Sequence, residues 1–169
     1  MVNYSLLPQL MSINPNWSNK SRIFGQAVEN WIQENLRCDC LGEFSHTSVN
    51  SKSVDSICNS CGQEIQIKGS KKKFKANRQS KLKIIGAEYK TTLESIASNS
   101  WDLILVSYNE TTLQINQILR IKSDLITENC IIPRKKLSEN ARRAGWQGCY
   151  LEFHWNSIDV IYNVDPENI

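Results

Sequence analysis

Hydrophobic and polar residues alternate most clearly in the segment DSICNSCGQEIQIK, which covers residues 55–68. The pattern predicts two short strands, at residues 53–58 and 63–68, joined by a turn that holds Cys58 and Cys61. In the second strand a period of two separates polar residues from isoleucines. The segment is therefore predicted to form a hairpin with one polar and one apolar face.

The polar face of this hairpin is a candidate site. Glu64, Gln66 and Lys68 alternate with the isoleucines, and antiparallel pairing would bring Asp55 close to Gln66 and Lys68. An acid, an amide oxygen and a lysine at one point suit a divalent metal ion and a phosphate. A solvent-exposed strand face, without chemistry, is the alternative interpretation.

A helical stripe precedes the hairpin at residues 21–36, where apolar residues follow i, i+3, i+4 spacing. They are Ile23, Phe24, Ala27, Val28, Trp31, Ile32 and Leu36. Glu29 lies beside the stripe. It is either solvated or leans over the end of the sheet towards Asp55, and the sequence leaves both interpretations open.

The remaining elements follow from shorter patterns. A second helix is predicted at 80–98, from the spacing of Leu82, Ile85, Tyr89, Leu93 and Ile96. A buried strand, WDLILVSY, follows at 101–108. Strand-like residues resume at 113–121, and a short helix at 123–127 and an extended segment at 131–135 come next. One helical turn at 138–143 and strands at 149–153 and 157–162 complete the chain, while residues 1–20 are expected to form a loosely packed arm.

The composition of the 169-residue chain is that of an ordinary globular protein with one domain, with 40% hydrophobic and 22% charged residues. No apolar run approaches membrane-spanning length. The N-terminus lacks the basic and apolar regions of a signal peptide, so a cytoplasmic location is expected. In a reducing compartment, paired cysteines bind metal more often than they form disulfides.

Two close cysteine pairs predict a structural zinc site. Cys38 and Cys40 directly follow the first helix, and Cys58 and Cys61 come after seventeen intervening residues. Four thiolates would hold a tetrahedral zinc ion and tie the helix end to the hairpin tip. His46 is the reserve ligand, and free buried thiols are the alternative. Cys130 and Cys149 stand alone and are expected in the core.

The net charge is only +3, but the basic residues are clustered. Eight of them fall within residues 68–83: Lys68, Lys71, Lys72, Lys73, Lys75, Arg78, Lys81 and Lys83. A second cluster contains Arg134, Lys135, Lys136, Arg142 and Arg143. Such patches attract phosphate backbones, although a solvated surface is the plainer interpretation.

The string ARRAGWQGC at 141–149 resembles a signature of the Dam-replacing restriction endonucleases, the DpnI type. The order of the other pieces matches as well: a helix containing E-x-W-I, a cysteine pair, VDSICNSC at 54–61 and QEIQIKGSKK at 63–72. The resemblance covers residues 20–153. It implies an α/β fold with a PD-(D/E)XK restriction-endonuclease-like core, a mixed sheet flanked by helices, and an embedded zinc site.

By position in that family, Asp55 looks like the aspartate that binds Mg²⁺ and Lys68 like the motif lysine. Gln66 stands where the family usually has glutamate, which removes one negative charge from the site. The backbone carbonyl of Ile67 and the carboxylate of Glu29 are further candidate ligands. Asp55, Gln66 and Lys68 are thus the predicted catalytic set.

The resemblance also implies double-stranded DNA as the partner and a GATC-like target, and it leaves open whether the adenine must be methylated. Lys71, Lys72 and Lys73 are expected to contact phosphates. Arg142, Arg143, Trp146 and Gln147 form the candidate base-reading loop, with a core anchor as the alternative role of Trp146. The chain ends soon after its last strand, so no C-terminal winged-helix domain is expected.

Two functions are compatible with these features. The first is a type II restriction endonuclease that uses Mg²⁺, as a monomer or a homodimer. The second is a catalytically silent zinc-containing DNA-binding module, for which Gln66 is the best support. Cleavage of RNA or of single strands is disfavoured, because no RRM-like or KH-like motif is present.

Overall fold

The computed structural model describes residues 1–13, 16, 18–47, 54–98 and 100–165. The helices are α1 (Leu7–Met11), α2 (Lys20–Asn35) and α3 (Tyr89–Ser98). The strands are β1 (Phe44–His46), β2 (Ser56–Cys58), β3 (Glu64–Ser70), β4 (Lys81–Glu88), β5 (Trp101–Tyr108), β6 (Ile115–Ile121), β7 (Ile131–Pro133), β8 (Gly148–His154) and β9 (Asp159–Asn163).

The predicted first helix is confirmed as α2, with bounds one residue earlier at each end. The Asn19 side chain accepts a hydrogen bond from the Arg22 N–H at 3.2 Å, which satisfies one of the free N–H groups of the first turn. The apolar stripe of the helix is buried against the main sheet: Ala27, Val28, Trp31 and Ile32.

The main sheet has the strand order β1-β2-β3-β5-β6-β9. Strands β3 and β5 are parallel, and the other neighbours are antiparallel. The predicted hairpin is confirmed as β2 and β3, although Ser53 lies outside the described residues. The predicted buried strand is confirmed as β5, in which every residue is buried.

The prediction of a helix over 80–98 is wrong for its first half. Residues 81–88 form β4, and only 89–98 form the helix α3. Leu82 and Ile84 are buried, whereas Lys83 and Ile85 are exposed, which is the period of two of a half-buried strand. The predicted helical stripe includes Ile85, but this residue is 66% exposed.

Strand β4 belongs to a second sheet with the order β4-β8-β7, which packs with α3 against the main sheet. The core between these layers contains Leu82, Leu103, Leu105 and Leu151. A second core lies between α2 and the opposite face of the main sheet. The main sheet is therefore covered on both faces, which explains why every residue of β5 is buried.

The N-terminal segment is not loosely packed as expected. Leu6 is fully buried, and Ser5 forms a bridge with Gln114 beside β6. The ring of Tyr4 stacks on that of Tyr162 with centroids 3.7 Å apart. These contacts attach the arm to the strands at the far side of the main sheet.

The last third of the chain follows its predicted order with adjusted bounds. The short helix expected at 123–127 is a 3₁₀ turn, Ser123–Leu125. Residues 138–143 form hydrogen-bonded turns and bends in place of a helical turn, with the Ala141 N–H bonded to the Ser138 carbonyl at 3.0 Å. The two final strands are confirmed as β8 and β9. Among the described helices, none has the length and apolar character needed to cross a membrane.

Candidate functional site

The candidate site lies where β2 leaves the edge of β3. The Asp55 N–H still donates to the Ile65 carbonyl at 2.9 Å. Beyond that point the Asp55 carboxylate takes the place of a neighbouring strand, because its Oδ2 accepts the Ile67 N–H at 2.7 Å. The N–H and C=O of one strand residue point to the same side. The Ile67 carbonyl therefore faces the same edge of the sheet as the Asp55 carboxylate.

Gln66 and Lys68 lie on one face of β3. Burial alternates along the strand, with Ile65 and Ile67 packed under α2 and the polar residues half-buried. Gln66 pairs with Leu103 of β5, and Lys68 pairs with Leu105. Both leucines belong to the core under the second sheet, so both polar side chains emerge on the face that meets this sheet.

Lys68 is held between β3 and β4. Its Nζ donates to the Ile85 carbonyl at 3.1 Å. Burial lowers the pKa of Lys68, and the negative charge of Asp55 acts in the opposite direction. The Asp55 carboxylate and the Lys68 ammonium are thus close enough to attract each other, although they come from different strands.

A second carboxylate approaches from α2. Burial, and after it the charge of Asp55, raises the pKa of Glu29 to about 7. Burial also raises the pKa of Asp55, against the effect of the Ile67 N–H. Glu29 is half-buried and within range of the charge of Asp55, so it is not simply solvated. Two carboxyl groups in this relation release their protons more readily when a cation is bound.

Glu64 belongs to the same face but lies further from the site. It pairs with Ile57 of β2, on the side of the cysteine turn. Glu64 lies two positions before Gln66 on the strand, which corresponds to about 6.6 Å. Glu64 is therefore too far from the site to replace directly the carboxylate that Gln66 lacks.

The four cysteines of the two pairs form one cluster. The Sγ atoms of Cys38 and Cys61 are 3.5 Å apart, and those of Cys40 and Cys58 are 3.4 Å apart. All four Sγ atoms lie within 4.8 Å of one another. A tetrahedral zinc ion with bonds of about 2.3 Å requires sulfur atoms roughly 3.8 Å apart. The cluster could therefore hold a zinc ion with little rearrangement.

The charges of the cluster also favour a cation. The Cys61 N–H is the main cause that lowers the pKa of Cys58, to about 6. Once this first thiolate has formed, its charge opposes ionisation of the neighbouring thiols. A bound metal ion would remove that repulsion.

His46, Cys130 and Cys149 lie outside the four-cysteine cluster. His46, the reserve ligand, lies 2.8 Å from the Gln33 side-chain nitrogen through its Nδ1. It is not part of the four-cysteine group. Cys130 and Cys149 are buried in the core, as predicted.

Sequence reasoning missed an ion-pair network that anchors the cysteine turn. Asp39, between the first two cysteines, bonds to Arg120 at 2.9 Å and also to Lys122. The buried Arg120 pairs in turn with the buried Asp102 at 2.5 Å. Asp39 stands between two cysteines of the cluster and could have been singled out for this reason, but its partners are about 80 residues away in the chain.

Two basic cavities flank the end of β3 at Gly69 and Ser70. One, of about 620 Å³, is lined by Lys68, Lys72 and Lys83 together with apolar side chains of β4. The other, of about 460 Å³, lies at the start of α2, and its charged lining residues are Lys20, Lys71 and Glu110. Lys71 and Lys72 are exposed, and Lys73 is half-buried. Two lysines of the run, Lys71 and Lys72, thus line cavities at the end of the strand that carries Lys68.

The loop that contains ARRAGW makes contacts through its tryptophan and its glutamine. Trp146 is half-buried, not exposed, and the Arg143 guanidinium lies 4.6 Å from the centre of its ring. A positive φ of 79° at Gly145 makes the turn that precedes it. The Gln147 side chain is occupied in a hydrogen bond to the Arg134 carbonyl at 2.9 Å. Arg142 and Arg143 remain exposed.

The fold and the site define a class of mixed α/β protein, with a mixed sheet, an Asp-Lys edge and a four-cysteine centre. A family model for the Dam-replacing family, DpnI, matches residues 6–159. The chain belongs to this family. The match includes α2, both cysteine pairs, the edge of β3 and the ARRAGW loop.

Proposed function

We propose that this protein is a Mg²⁺-dependent, site-specific type II endonuclease that hydrolyses DNA phosphodiester bonds on a PD-(D/E)XK core. The observation that carries the proposal is the Asp55 carboxylate fixed on the Ile67 N–H beside Lys68. Membership of the Dam-replacing family supports it. The lysine-lined cavities around the end of β3 supply the positive surface that a DNA backbone requires.

The residues at this edge fit a magnesium ion. Mg²⁺ prefers hard oxygen ligands, and the Asp55 carboxylate, the Gln66 amide and the Ile67 carbonyl offer them. Glu29 offers a further carboxylate and would compensate for the charge that Gln66 lacks. When bound, the ion supplies Lewis-acid stabilisation of the phosphate.

Lys68 has the second role in this proposal. Its Nζ is anchored to the Ile85 carbonyl, which leaves other N–H donors free to orient the attacking water and to offset negative charge in the transition state. Burial lowers the pKa of Lys68, so a larger fraction of this amine than of an exposed lysine is neutral and able to accept a proton. Asp55, Gln66 and Lys68 form the catalytic set.

The DNA contacts divide into backbone and base contacts. Lys71, Lys72 and Lys73 bind phosphates without reading sequence. Arg142 and Arg143 read base edges, arginine being the usual partner of guanine. Trp146 packs against a thymine or methyladenine methyl group. The target is a GATC-like site, and the Cys38, Cys40, Cys58 and Cys61 centre carries structural zinc.

The test is digestion of plasmids prepared with and without adenine methylation, in Mg²⁺ and in Mn²⁺, followed by mapping of the ends. We expect discrete cuts with the natural protein. Asp55→Ala and Lys68→Ala should abolish cutting while DNA binding is retained. Binding without cutting under all these conditions would contradict the enzymatic function.

A catalytically silent DNA-binding module is the second candidate, favoured by Gln66. Gln66→Glu separates the two, because it restores a carboxylate at the proposed metal site. In a nuclease weakened by its glutamine, this variant should need about tenfold less Mg²⁺ for half-maximal cutting, the equivalent of roughly 1.4 kcal/mol. Gln63→Glu, outside the site at the start of the hairpin's second arm, is the control. A Gln66→Glu variant that still does not cut would favour the module.

A further inference from the structure

Cations and aromatic rings alternate across the second sheet and continue into the ARRAGW loop. The row runs Lys83, Tyr150, Arg134, Trp146, Arg143, and we call it the cation–aromatic row. The Lys83 Nζ lies 4.4 Å from the centre of the Tyr150 ring, and the Arg134 guanidinium lies 5.1 Å from the same centre. At the other end the Arg143 guanidinium lies 4.6 Å from the Trp146 ring.

Gly148 joins the two halves of the row. A Cβ atom at this position would lie 2.9 Å from Trp146 Cη2 and 3.3 Å from Arg134 Cδ. The indole and the stem of Arg134 therefore both lie against the bare glycine backbone. The main chain of Arg134 is fixed as well, since its N–H donates to the Gly148 carbonyl at 2.9 Å.

The row is continuous with the proposed cleavage site. Lys83 lines the cavity of about 620 Å³ that also contains Lys68 and Lys72. Ile85, which pairs with Tyr150 across the sheet, lines the same cavity and provides the carbonyl that holds Lys68. A ligand seated on Lys68 would therefore extend directly onto the row.

The charges of the row are available to a ligand. Lys83, Arg134 and Arg143 are exposed and lie over aromatic rings, and Lys83 also has Glu152 as its cross-strand neighbour. The acid on this part of β8, Glu152, is paired with Lys81 at 3.4 Å. Cations held over rings keep their charge and lose little further freedom when they bind an anion.

We propose that Lys83, Tyr150 and Arg134 of the cation–aromatic row bind the phosphate backbone of a DNA duplex beyond the scissile bond, next to the base-reading Arg143 and Trp146. The proposal rests on the nuclease function proposed above and adds Lys83, Tyr150 and Arg134 to its DNA-binding surface. Lys83 and Arg134 stand on opposite sides of β8, one opposite Glu152 and the other beside Gly148, four residues or about 13 Å apart along that strand. They therefore address two different phosphates, while Tyr150 positions both cations.

The test measures binding alone, by fluorescence anisotropy of a labelled GATC-containing duplex without divalent ions, between 50 and 200 mM salt as typical working conditions. Lys83→Met and Arg134→Met keep the apolar stems over the ring and remove the charges. Each should reduce the slope of log affinity against log salt by about one, and the double variant by about two. Lys90→Met, on the exposed surface of α3, is the matched control and should behave as the natural protein.

Tyr150 is tested as a positioning residue. Tyr150→Phe keeps the ring and should bind as the natural protein does, whereas Tyr150→Leu removes it and should weaken binding at every salt concentration. If the double variant fails to fold, the two single variants decide the question.

Unchanged affinity and salt slope in Lys83→Met and Arg134→Met would overturn the proposal, and so would a natural protein that binds no duplex. Absence of cutting by the natural protein would count against the nuclease function but not against the row, because the assay requires no cutting.

Discussion

At the residue scale, Glu29 gives the site a pH dependence. The ordinary pKa of glutamate in an unfolded chain is near 4.5, and burial together with the charge of Asp55 raises the pKa of Glu29 to about 7 in the folded protein. Between these values the folded protein holds a proton that the unfolded chain has lost. The stability contributed by this proton is complete below pH 4.5 and is lost as the pH rises through 7.

We therefore expect the melting temperature of the natural protein, in buffer without divalent ions, to fall relative to that of Glu29→Gln as the pH rises from 5 to 8. Glutamine keeps the shape of the protonated acid and cannot ionise. Glu34→Gln, at an exposed position of the same helix, is the control and should show no such divergence. If the melting temperatures of Glu29→Gln and the natural protein change in parallel with pH, the pKa of Glu29 is not raised by burial.

At the element scale, β4 is built around a close contact with β8. A Cβ atom on Gly86 would lie 2.8 Å from the Sγ of Cys149, and the register of β4 shifts between Ile85 and Glu88. Cys149 is fully buried and its thiol bonds to the Ala87 carbonyl at 3.4 Å. This irregular stretch presents the Ile85 carbonyl to Lys68.

Gly86→Ala should therefore lower the free energy of unfolding by about 1–3 kcal/mol, the usual cost of overpacking. Cys149→Ala removes the clashing sulfur, so the double variant Gly86→Ala/Cys149→Ala should be more stable than the sum of the single changes predicts. A double-mutant cycle by chemical denaturation measures this coupling. If the two changes in the free energy of unfolding simply add, the Cys149 thiol is not the reason for a glycine at position 86.

The same element shows the limit of what the sequence predicts. The hairpin at 55–68 and the cysteine cluster were predictable because their signals are local: alternation in one strand and two close pairs. The β4 segment was not, because Leu82 and Ile85 continue by chance the spacing of the true helix that starts at Tyr89. The strand is stabilised by pairing with β8, more than 60 residues later, which overrides the local pattern.

Long-range pairing also explains what was missed in the candidate site. The position of Asp55 beside Lys68 follows from hairpin register, and the alternation of Gln66 and Lys68 follows from strand geometry. The contacts of Asp39 with Arg120, and of Lys68 with Ile85, join segments whose proximity only the folded sheets create. Which interpretation of Glu29 holds depended on how α2 packs, and this too is a tertiary property.

At the scale of the whole molecule, the cysteine cluster connects the parts that carry the candidate site. Cys38 and Cys40 follow α2, which carries Glu29, and Cys58 and Cys61 form the turn that leads into β3. Asp39 extends the connection to Arg120 on β6. A metal ion in the cluster would therefore fix the helix, the hairpin and the main sheet relative to one another.

Removal of zinc should accordingly destabilise the entire fold. A ligand present at 1,000 times its dissociation constant stabilises a folded protein by about 4 kcal/mol, and a chelator should abolish a contribution of at least that order. The measurements are the zinc content of the purified protein, expected at one equivalent, and thermal unfolding with and without chelator. Cys61→Ser should reproduce the loss, whereas Cys130→Ala, in the core away from the cluster, should retain the zinc. Release of the zinc with no change in the unfolding transition would show that the cluster does not join these elements.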